Sequence, residues 1–534
     1  MKSIIETCEP RQDIVKGTFN PEIFTASLSE VLRYYAGHKT NLDSVYTQPD
    51  SFFSEATYPT DGMKMLISEV FTRLSGDHTV PAIHRLETAF GGGKTHTLIA
   101  CAHIAYKGTD IASVTSDVLP NALLPKPGEI TVVGIAGEEI PVHKPKGSTL
   151  IPYTLWGEIA FQIGGKALYQ EVENDAVSHA APGKNYFDTI FQGKKVLIML
   201  DELAQYTARL SAVRSDGSDQ LAAFLMSLHG YARSHQGISI LLTLASSQDA
   251  FASQTEQLVK LLTEVTGKKL SRDAALGIGQ QAIGSVTSVV SRDATAIVPV
   301  QASEISRVLA KRLFTQINRL DAEITTTEYI KLYQKNSSML PNEASRLDYK
   351  EIMLAHYPFH PTLINFLNYK LAVSENFQRT RGILRVLALT VRNVWNKKTA
   401  IPMIHACHFD LRDARIVNEL IGRTGSGDLL PVLNADIGSV DTHQIEGGQS
   451  NAELADQRNP HPEQWPMYEY TWKTIFLHSL IGRDLGLGSN LFGLTESDAL
   501  FHVSFPGLTP PQIAEALNEI TNSAFYLRFN QGRY

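Results

Sequence analysis

A glycine-rich stretch, ETAFGGGKTH at residues 87–96, contains residue types suited to binding phosphate. It ends in Gly93, Lys94 and Thr95, as does the pattern G-x-x-x-x-G-K-[ST], but Thr88 stands where that pattern begins with glycine. Backbone N–H groups at a helix N-terminus can cradle phosphate oxygens, which a lysine neutralises, and a threonine hydroxyl can bind Mg²⁺. The stretch therefore predicts a nucleotide-binding loop, and the alternative is a glycine-rich turn before a helix. The residues predicted to bind the nucleotide here are Thr88, Ala89, Phe90, Gly91, Gly92, Gly93, Lys94, Thr95 and His96.

A second stretch, VLIMLDE at residues 196–202, is an apolar run that ends in two carboxylates. Phosphate-loop ATPases use a carboxylate at the end of a neighbouring buried strand to hold Mg²⁺. Asp201 is predicted to bind Mg²⁺ together with Thr95, and Glu202 is predicted to polarise the attacking water as a general base. Two exposed acids at a strand end are the alternative. The presence of both motifs in this order, each after an apolar strand, favours ATP and Mg²⁺.

Polar residues beside two further apolar runs fit ATP hydrolysis. The run LLTLASSQ ends in Ser246, Ser247 and Gln248, and either Ser246 or Ser247 is predicted to orient the attacking water. Ordinary polarity at a strand end is the alternative. Arg292, just before the apolar segment 295–300, is predicted to be an arginine finger that acts on the nucleotide of a neighbouring subunit. A surface salt bridge is the other interpretation of Arg292.

Continuous apolar segments alternate with helical patterns between residues 80 and 300. The segments at residues 80–87, 130–137, 194–202 and 238–247 are apolar along nearly their whole length. This pattern is typical of a parallel sheet that is covered by helices on both faces. The predicted fold class is therefore α/β with a parallel-sheet core.

Changes in pattern divide the chain into five predicted regions. These are a helical N-terminal extension at 1–75, an α/β core at 76–302, a helical lid at 303–422, a linker or excursion at 423–465, and a winged-helix-like domain at 466–534. In the last region, helices are followed by an extended segment that resembles the first arm of a hairpin. Because the chain stops at Tyr534 inside this segment, we expect the natural protein to continue.

The composition narrows the class of protein. With 43% hydrophobic and 19% charged residues, it is the composition of a globular protein and not of a disordered one. The net charge of −7 argues against a surface covered in positive charge for nucleic acid, but it allows a local basic patch. Cys8, Cys101 and Cys407 are far apart, which fits reduced thiols. The N-terminus lacks the apolar core of a secretory signal, and the apolar runs are too short to span a membrane. We therefore expect a cytoplasmic protein without a membrane partner.

Taken together, the motifs resemble those of AAA+ ATPases. The resemblance rests on Lys94 and Thr95, Asp201 and Glu202, a polar strand end, Arg292 and a helical lid. It implies a P-loop ATPase core that works with ATP and Mg²⁺ in a homo-oligomer.

The predicted lid adds one further match to that family. In QRTRGILRVLA at residues 378–388, Gly382 and Arg385 fit the G-x-x-R of the AAA+ second sensor, whose arginine reaches the γ-phosphate. Arg381 is the competing candidate for this role.

A narrower resemblance covers nearly the whole chain. The segments that carry it are PRQDIVKG, FFSEATYPT, ETAFGGGKTHTL, LWGEIAFQ, VLIMLDE, AKRLF and YPFHPTLI. They resemble a group of large bacterial ATPases known as domain of unknown function 499, in which FGGGKTH is the usual form of the loop. The resemblance implies a role in phage defence, beside a DNA methyltransferase or other defence subunits. Composition and spacing do not show that role.

DNA binding is left open by the sequence. The basic residues of the predicted lid, which form either a solvated face or a nucleic-acid contact, are Arg379, Arg381, Arg385, Arg392, Lys397 and Lys398. The predicted function is ATP hydrolysis that drives remodelling or translocation of DNA or of partner proteins. The alternative is a slow ATP-dependent switch that gates an effector protein.

Overall fold

The described residues form two compact units. The computed structural model describes residues 1–20, 27–87, 93–147, 149–243, 255–374, 377, 379–442, 448–486, 489 and 491–534. Residues 23–302 form one unit, here called the sheet unit, and residues 1–22 with 303–534 form the other, here called the helical unit. The finer division into five regions stays a prediction.

The strands confirm the predicted α/β class. In chain order they are β1 Cys8–Pro10, β2 Ile83–Leu86, β3 Thr131–Ala136, β4 Val196–Asp201, β5 Ile238–Thr243, β6 Thr295–Ile297 and β7 Phe314–Ile317. In the sheet unit, β2 to β6 form one parallel sheet in the order β3-β4-β5-β2-β6. In the helical unit, β1 and β7 form an antiparallel pair.

The register of the sheet brings the carboxyl ends of its central strands to one edge. Leu86 lies beside Thr243, and Leu200 lies beside Leu242. Every residue of β4 and β5 is buried, which explains why these strands read as continuous apolar runs. The strand predicted at 295–300 is shorter than expected, since β6 ends at Ile297. Pro299 follows closely and has no N–H group with which to continue the ladder.

Helices account for most of the remaining described residues. Those of eight residues or more are α1 Leu28–Tyr35, α2 Asp61–Ser75, α3 Lys94–Lys107, α4 Leu155–Glu171, α5 Lys184–Phe191, α6 Leu203–Val213, α7 Gly217–Ser234, α8 Thr255–Thr266, α9 Arg272–Asp293, α10 Ile305–Leu313, α11 Arg319–Lys335, α12 Tyr349–His356, α13 Arg379–Lys397, α14 Asn451–Arg458, α15 Met467–His478, α16 Glu496–Val503 and α17 Pro510–Asn518. Shorter α-helical turns are Ile4–Thr7, Gln12–Lys16, Ser44–Thr47, Pro49–Ser51, Ala112–Thr115, Glu173–Ala176, Pro361–Asn365, Ala414–Val417, Leu430–Val432 and Ile520–Ser523. The 3₁₀ turns are Gly108–Ile111, Asn121–Leu123, Ala302–Glu304, Asn342–Ser345, Leu371–Val373, Ala406–His408, Gly427–Leu429 and Arg483–Leu485, and the π-helical turns are Phe52–Ala56, Phe366–Lys370, Asn418–Gly422 and Leu433–Ile437. None of the helices in the described ranges is both long and apolar enough to cross a membrane.

Helices cover both faces of the parallel sheet. Val196, Ile198 and Leu200 of β4 pack into the main core together with α4 to α9. Because side chains alternate along a strand, Leu197 and Met199 point to the opposite face. On that face α1 and α3 pack against β3, and α2 packs against β5. The sheet is thus a rigid layer whose edges present the residues that follow each strand.

The end of the helical unit differs from the expected hairpin arm. Residues 524–534 contain no strand, and only an isolated bridge joins Asn530 to Arg533. The buried Asp436 carboxylate accepts the N–H groups of Phe525, Tyr526 and Leu527 at 2.7, 2.7 and 3.1 Å. These backbone donors are therefore bound by a side chain instead of by a partner strand.

Candidate functional site

The first predicted motif lies where β2 leads into α3. Gly93 precedes the helix with φ 100° and ψ −26°, and a Cβ atom on it would lie 2.7 Å from Val300 Cγ2. Only glycine fits there, because both the backbone angle and the space exclude a side chain. Lys94 is the first residue of α3, and Thr95 is the second. The first N–H groups of the helix have no partners within it and, with the helix dipole, favour an anion. The loop residues predicted to precede them, Thr88, Ala89, Phe90, Gly91 and Gly92, lie outside the described residues.

Asp201, at the end of β4, brings the second motif against the first. Thr95 Oγ1 donates a hydrogen bond to Asp201 Oδ2 at 2.8 Å. The other carboxylate oxygen, Oδ1, accepts from the Thr243 hydroxyl at 2.7 Å. Asp201 is 5% exposed, so these bonds form in an environment largely shielded from water. Two residues that are far apart in the sequence thus meet at the edge of the sheet.

Glu202 makes the turn from β4 into α6 with left-handed backbone angles, φ 53° and ψ 35°. For a residue other than glycine this conformation costs on the order of 1 kcal/mol. Its N–H group donates to Thr243 Oγ1 at 2.9 Å and to Asp201 Oδ1 at 3.1 Å. Gly137 allows the turn to approach β3, because a Cβ atom there would lie 2.3 Å from the Glu202 carbonyl oxygen. The surrounding contacts therefore hold Glu202 in a strained position, as is common for functional residues.

The Glu202 side chain has a perturbed acidity. Burial and the negative charge of Asp201 raise its pKa, while Lys94 opposes this shift and Glu138 adds to it. Gln205, one helical turn further on, donates from Nε2 to Glu202 Oε2 at 2.8 Å. A carboxylate whose pKa is raised toward neutrality is a better general base than an ordinary one. We call Thr95, Asp201, Glu202, Gln205 and Thr243 the strand-end network.

Thr243 is a member of this network that the sequence interpretation missed. The polar strand end was assigned to Ser246, Ser247 and Gln248, whereas the described residue of β5 that contacts Asp201 is Thr243. A signal was present, since Thr243 is the first polar residue after the apolar run ILL. Ser246, Ser247 and Gln248 lie outside the described residues, and the predicted role of Ser246 or Ser247 stays a prediction.

Family comparisons agree with the resemblance found in the motifs. The model described as DUF499 N-terminal domain matches residues 6–272, and the one described as DUF499 second domain matches residues 300–532. The chain belongs to the DUF499 family. Among curated proteins, none matches it significantly. The description of the family assigns no function.

In this DUF499 chain, the His96 imidazole belongs to the internal packing of the sheet unit. Its Nε2 atom lies 2.9 Å from Thr57 Oγ1, and its ring stacks on Phe52 with the centroids 4.4 Å apart. The side chain is 6% exposed. The imidazole therefore packs against the segment that includes Phe52–Ala56. Only the backbone N–H group of His96 is left as a candidate donor to the nucleotide.

Arg292 lies at the opposite edge of the sheet. It occupies the last turn of α9, which leads into the amino end of β6, and β6 runs parallel to β2 with Thr295 beside His84. Lys94 follows the carboxyl end of β2. Arg292 is therefore separated from its own chain's strand-end network by the length of the strands. Its side chain is 65% exposed, and its Nε atom lies 3.6 Å from Asp293 Oδ1.

The two candidates for the second sensor belong to the helical unit of the DUF499 chain. Arg385, on α13, donates from Nε to Glu419 Oε2 at 2.8 Å. Arg381 lies on the same helix and is exposed. Another basic residue of this helix, Lys397, lies 2.6 Å from Asp410. Two of the basic residues grouped by sequence are thus engaged in ion pairs, and the sensor role stays a prediction.

The oxygen atoms of Thr95 and Asp201 match what Mg²⁺ prefers as ligands. No group of three or more His, Cys, Asp or Glu side chains that could hold a metal lies within the described ranges. Mg²⁺ usually binds through one or two carboxylates together with waters and substrate phosphates, so it does not require such a group. The donor set therefore fits Mg²⁺ bound with a nucleotide.

Proposed function

We propose that this DUF499 chain is a Mg²⁺-dependent ATPase of the AAA+ kind. The observation that carries the proposal is the 2.8 Å contact between Thr95 Oγ1 and Asp201 Oδ2. It connects a helix that begins with Lys94 to a buried strand that ends in a carboxylate followed by Glu202. In the sheet order, β5 lies between β2 and β4, so the carboxyl ends of these three strands are neighbours.

The residues at the carboxyl edge divide the work of binding. Lys94 neutralises the β- and γ-phosphates at the positive end of α3, where the free N–H groups also donate hydrogen bonds to phosphate oxygens. Thr95 and Asp201 would hold Mg²⁺, which when bound neutralises the charge on the phosphates. Thr243 keeps the Asp201 carboxylate in place, since its hydroxyl donates to Oδ1.

Glu202 supplies the proton acceptor for hydrolysis. As the water oxygen bonds to the γ-phosphorus, its proton passes to the Glu202 carboxylate and the bond between the γ-phosphorus and ADP breaks. The left-handed backbone at Glu202 fixes the direction in which its side chain leaves the turn. Burial and the negative charge of Asp201 raise the pKa of the Glu202 carboxylate. Positioning and charge stabilisation supply most of the catalysis in this class of reaction.

Arg292 acts on a second copy of the chain in this proposal. It lies at the edge opposite its own site and is exposed, so a neighbouring subunit is the target that its position allows. An arginine finger contributes about 10³ to 10⁵ in rate. The proposed assembly is a homo-oligomer.

The wider role follows from the family resemblance. We propose that hydrolysis drives remodelling or translocation of DNA or partner proteins in phage defence, together with a DNA methyltransferase. The helical lid, with Arg381 or Arg385 as its sensor, and the winged-helix-like region at 466–534 are parts of this proposal.

One observation favours a slow switch that gates an effector as a second candidate. Gln205 Nε2 donates a hydrogen bond to Glu202 Oε2 at 2.8 Å, so one of the two carboxylate oxygens of the base already has a hydrogen-bond partner. This hydrogen bond stabilises the charged carboxylate and opposes the rise in the pKa of Glu202, which makes Glu202 a weaker proton acceptor. Replacing Gln205 by alanine should then raise the basal turnover.

The decisive experiment is steady-state ATP hydrolysis by the purified protein, with and without double-stranded DNA. Lys94→Ala should abolish nucleotide binding, whereas Glu202→Gln should bind ATP without hydrolysing it. Strong stimulation by DNA supports the remodelling role. Slow turnover that ignores DNA and rises in Gln205→Ala supports the switch. Hydrolysis by Glu202→Gln at the parental rate would show that Glu202 is not the base.

A further inference from the structure

An exposed face on α7 and α9 carries residues that are not part of the core of the sheet unit. Met226, Gly230 and Arg233 follow one another on α7 at positions i, i+4 and i+7, and all three are exposed. Gly284 and Arg292 lie two helical turns apart on α9 and are exposed as well. The helices pack against each other, and Arg292 Nη2 lies 3.4 Å from Met226 Sδ. We call these five residues the arginine face.

Asp293 holds the two arginines of this face together. Its Oδ1 atom lies 3.1 Å from Arg233 Nη1 and 3.6 Å from Arg292 Nε. The Asp293 side chain is 4% exposed, whereas those of Arg233 and Arg292 are 52% and 65% exposed. The fully buried His229 lies behind the carboxylate, with Nδ1 3.7 Å from Oδ2. Two guanidinium groups share one carboxylate, so the face carries an excess positive charge.

The backbone beneath Arg233 is fixed by a buried arginine on α2. Arg73 Nη2 donates to the carbonyl oxygens of Ala232 and His235 at 2.7 and 3.1 Å. Arg73 is 2% exposed, and these bonds satisfy carbonyl groups that a helix end leaves without partners. The guanidinium of Arg233 is thus presented from a rigid position.

The two glycines of the face have no structural explanation within the chain. A Cβ atom built on Gly230 or on Gly284 would meet no atom within 4 Å, and neither residue has a positive φ. Glycine in a helix interior is less favourable than alanine, because it loses more conformational freedom on folding. Their lack of side chains instead leaves room for another backbone to approach closely.

We propose that the arginine face docks on the carboxyl edge of a second copy of this chain, where Arg233, beside Arg292, contacts the phosphates of the bound nucleotide. The inference rests on the proposed ATPase function and adds Arg233 as a second phosphate-contacting residue and Asp293 as the residue that positions both arginines. The charges are complementary, because the carboxyl edge carries the half-buried Glu202 and the exposed Glu138 in addition to the nucleotide.

The first test is hydrolysis by mixed subunits. Arg233→Ala should lower kcat roughly 10- to 100-fold, the value of a lost charge-assisted hydrogen bond, with the Kd for ATP unchanged. Mixing it with Glu202→Gln, which keeps its arginines but lacks the base, should restore activity, because some interfaces then pair an intact arginine with an intact site. Arg33→Ala removes an exposed arginine that pairs with Glu30 on α1 and serves as the matched control. Asp293→Asn should behave like Arg233→Ala and be rescued in the same way.

The second test separates assembly from folding. Gly230→Ala with Gly284→Ala should raise the melting temperature of the protein, yet weaken self-association roughly tenfold in analytical ultracentrifugation, because methyl groups then fill the contact. An unchanged association constant, or failure of the mixed subunits to recover activity, overturns the inference. Loss of DNA binding in Arg233→Ala without rescue by mixing overturns it in favour of a nucleic-acid contact. If the parental protein lacks ATPase activity but the glycine variants weaken association, the proposed function fails and the docking face stands.

Discussion

Two polar networks inside this DUF499 protein differ in how their charges are balanced. In the helical unit, Arg412 binds Glu453 at 2.6 Å and Glu469 at 2.9 Å. Lys473, which is 3% exposed, lies 2.7 Å from Glu469. We call these four residues the ion cluster. Two cations here meet two carboxylates, so the described side chains provide the counter-charges themselves.

The strand-end network of the sheet unit lacks this balance. Asp201 and Glu202 are adjacent carboxylates, and their hydrogen-bond partners are the neutral side chains of Thr95, Thr243 and Gln205. The chain supplies hydrogen bonds to these acids but places no cation among those partners.

The pKa of a glutamate in each network reflects this difference in charge balance. Burial opposes the ionisation of Glu469, but Lys473 and Arg412 outweigh it and lower its pKa to about 2. Burial and Asp201 together raise the pKa of Glu202. Buried charges are stable where they are paired, so an acidic edge that has no cation among its described hydrogen-bond partners, beside Lys94 and a helix N-terminus, supports the proposed binding of Mg²⁺ and a nucleotide there. The balanced cluster serves the fold, and the unbalanced one is suited to a ligand.

The largest expected effect comes from unbalancing the ion cluster. Glu469→Gln leaves Arg412 and Lys473 partly uncompensated in a buried position, which should lower the free energy of unfolding by about 3–5 kcal/mol. Urea denaturation measures this change. Asp348→Asn, which breaks the exposed pair of Asp348 with Arg346 in the same unit, is the control and should leave the midpoint unchanged. Equal effects of the two variants would contradict the structural role of the cluster.

A smaller effect is expected from removing one hydroxyl of the strand-end network. Thr243→Val keeps the shape of the side chain but removes a donor to Asp201 and an acceptor for the Glu202 N–H group. The Glu202 N–H and Asp201 Oδ1 then keep only the 3.1 Å hydrogen bond between them, so the loss should cost about 0.5–1.5 kcal/mol per bond, and we expect ATP hydrolysis to fall roughly tenfold. Both quantities can be measured on the same preparation.

Thr115→Val is the matched control for that experiment. Thr115 is also buried, but its hydroxyl donates to Ile111 within its own helical segment and takes no part in the strand-end network. It should leave the hydrolysis rate unchanged. If Thr243→Val hydrolyses ATP as fast as this control, Thr243 does not position the site.

The smallest effect concerns the pH dependence of hydrolysis. A general base acts in its deprotonated form, so kcat/KM should fall as the pH drops through the raised pKa of Glu202. Burial and Asp201 are the main causes of that shift, and the negative charge of Glu138 adds to it. Glu138→Gln should therefore lower the pKa of Glu202 and move the acidic limb of the profile to lower pH.

The neighbouring residue provides the control for the pH experiment. Glu139→Gln makes the same change in charge, but Glu139 is not among the groups that shift the pKa of Glu202. Its profile should coincide with that of the parent. A profile that moves to higher pH in Glu138→Gln would contradict the assignment of Glu202 as the base.

Much of the candidate site could be predicted because it depends on local patterns. Lys94 and Thr95 start a helix after a glycine, and Asp201 and Glu202 end a fully apolar strand. Each feature occupies fewer than ten consecutive residues, and the continuous apolar runs indicate a parallel sheet. In such a sheet the carboxyl ends of the strands share one edge, so both motifs are expected at the same edge.

The partners of these residues could not be predicted in the same way. Thr243 reaches Asp201 because β5 pairs with β4. The sequence pattern of a strand does not specify which other strand it pairs with. The polar residues further along, Ser246 and Ser247, looked equivalent in the sequence because the partner of each residue in a strand depends on how the strands pair. Gln205 has the spacing of one helical turn from Glu202, but the contact depends on the left-handed turn at Glu202.

The sequence by itself thus determined the parallel α/β core and the four residues Lys94, Thr95, Asp201 and Glu202 that the structure brings to one edge. The tertiary structure alone decided the strand order, the hydroxyl that holds Asp201, and the position of Arg292 at the opposite edge beside Arg233. The physical reason is that helix starts and buried strands are set by interactions between near neighbours in the chain. Strand order and the pairing of side chains are set instead by contacts between residues far apart in sequence, whose free energy the local pattern does not contain.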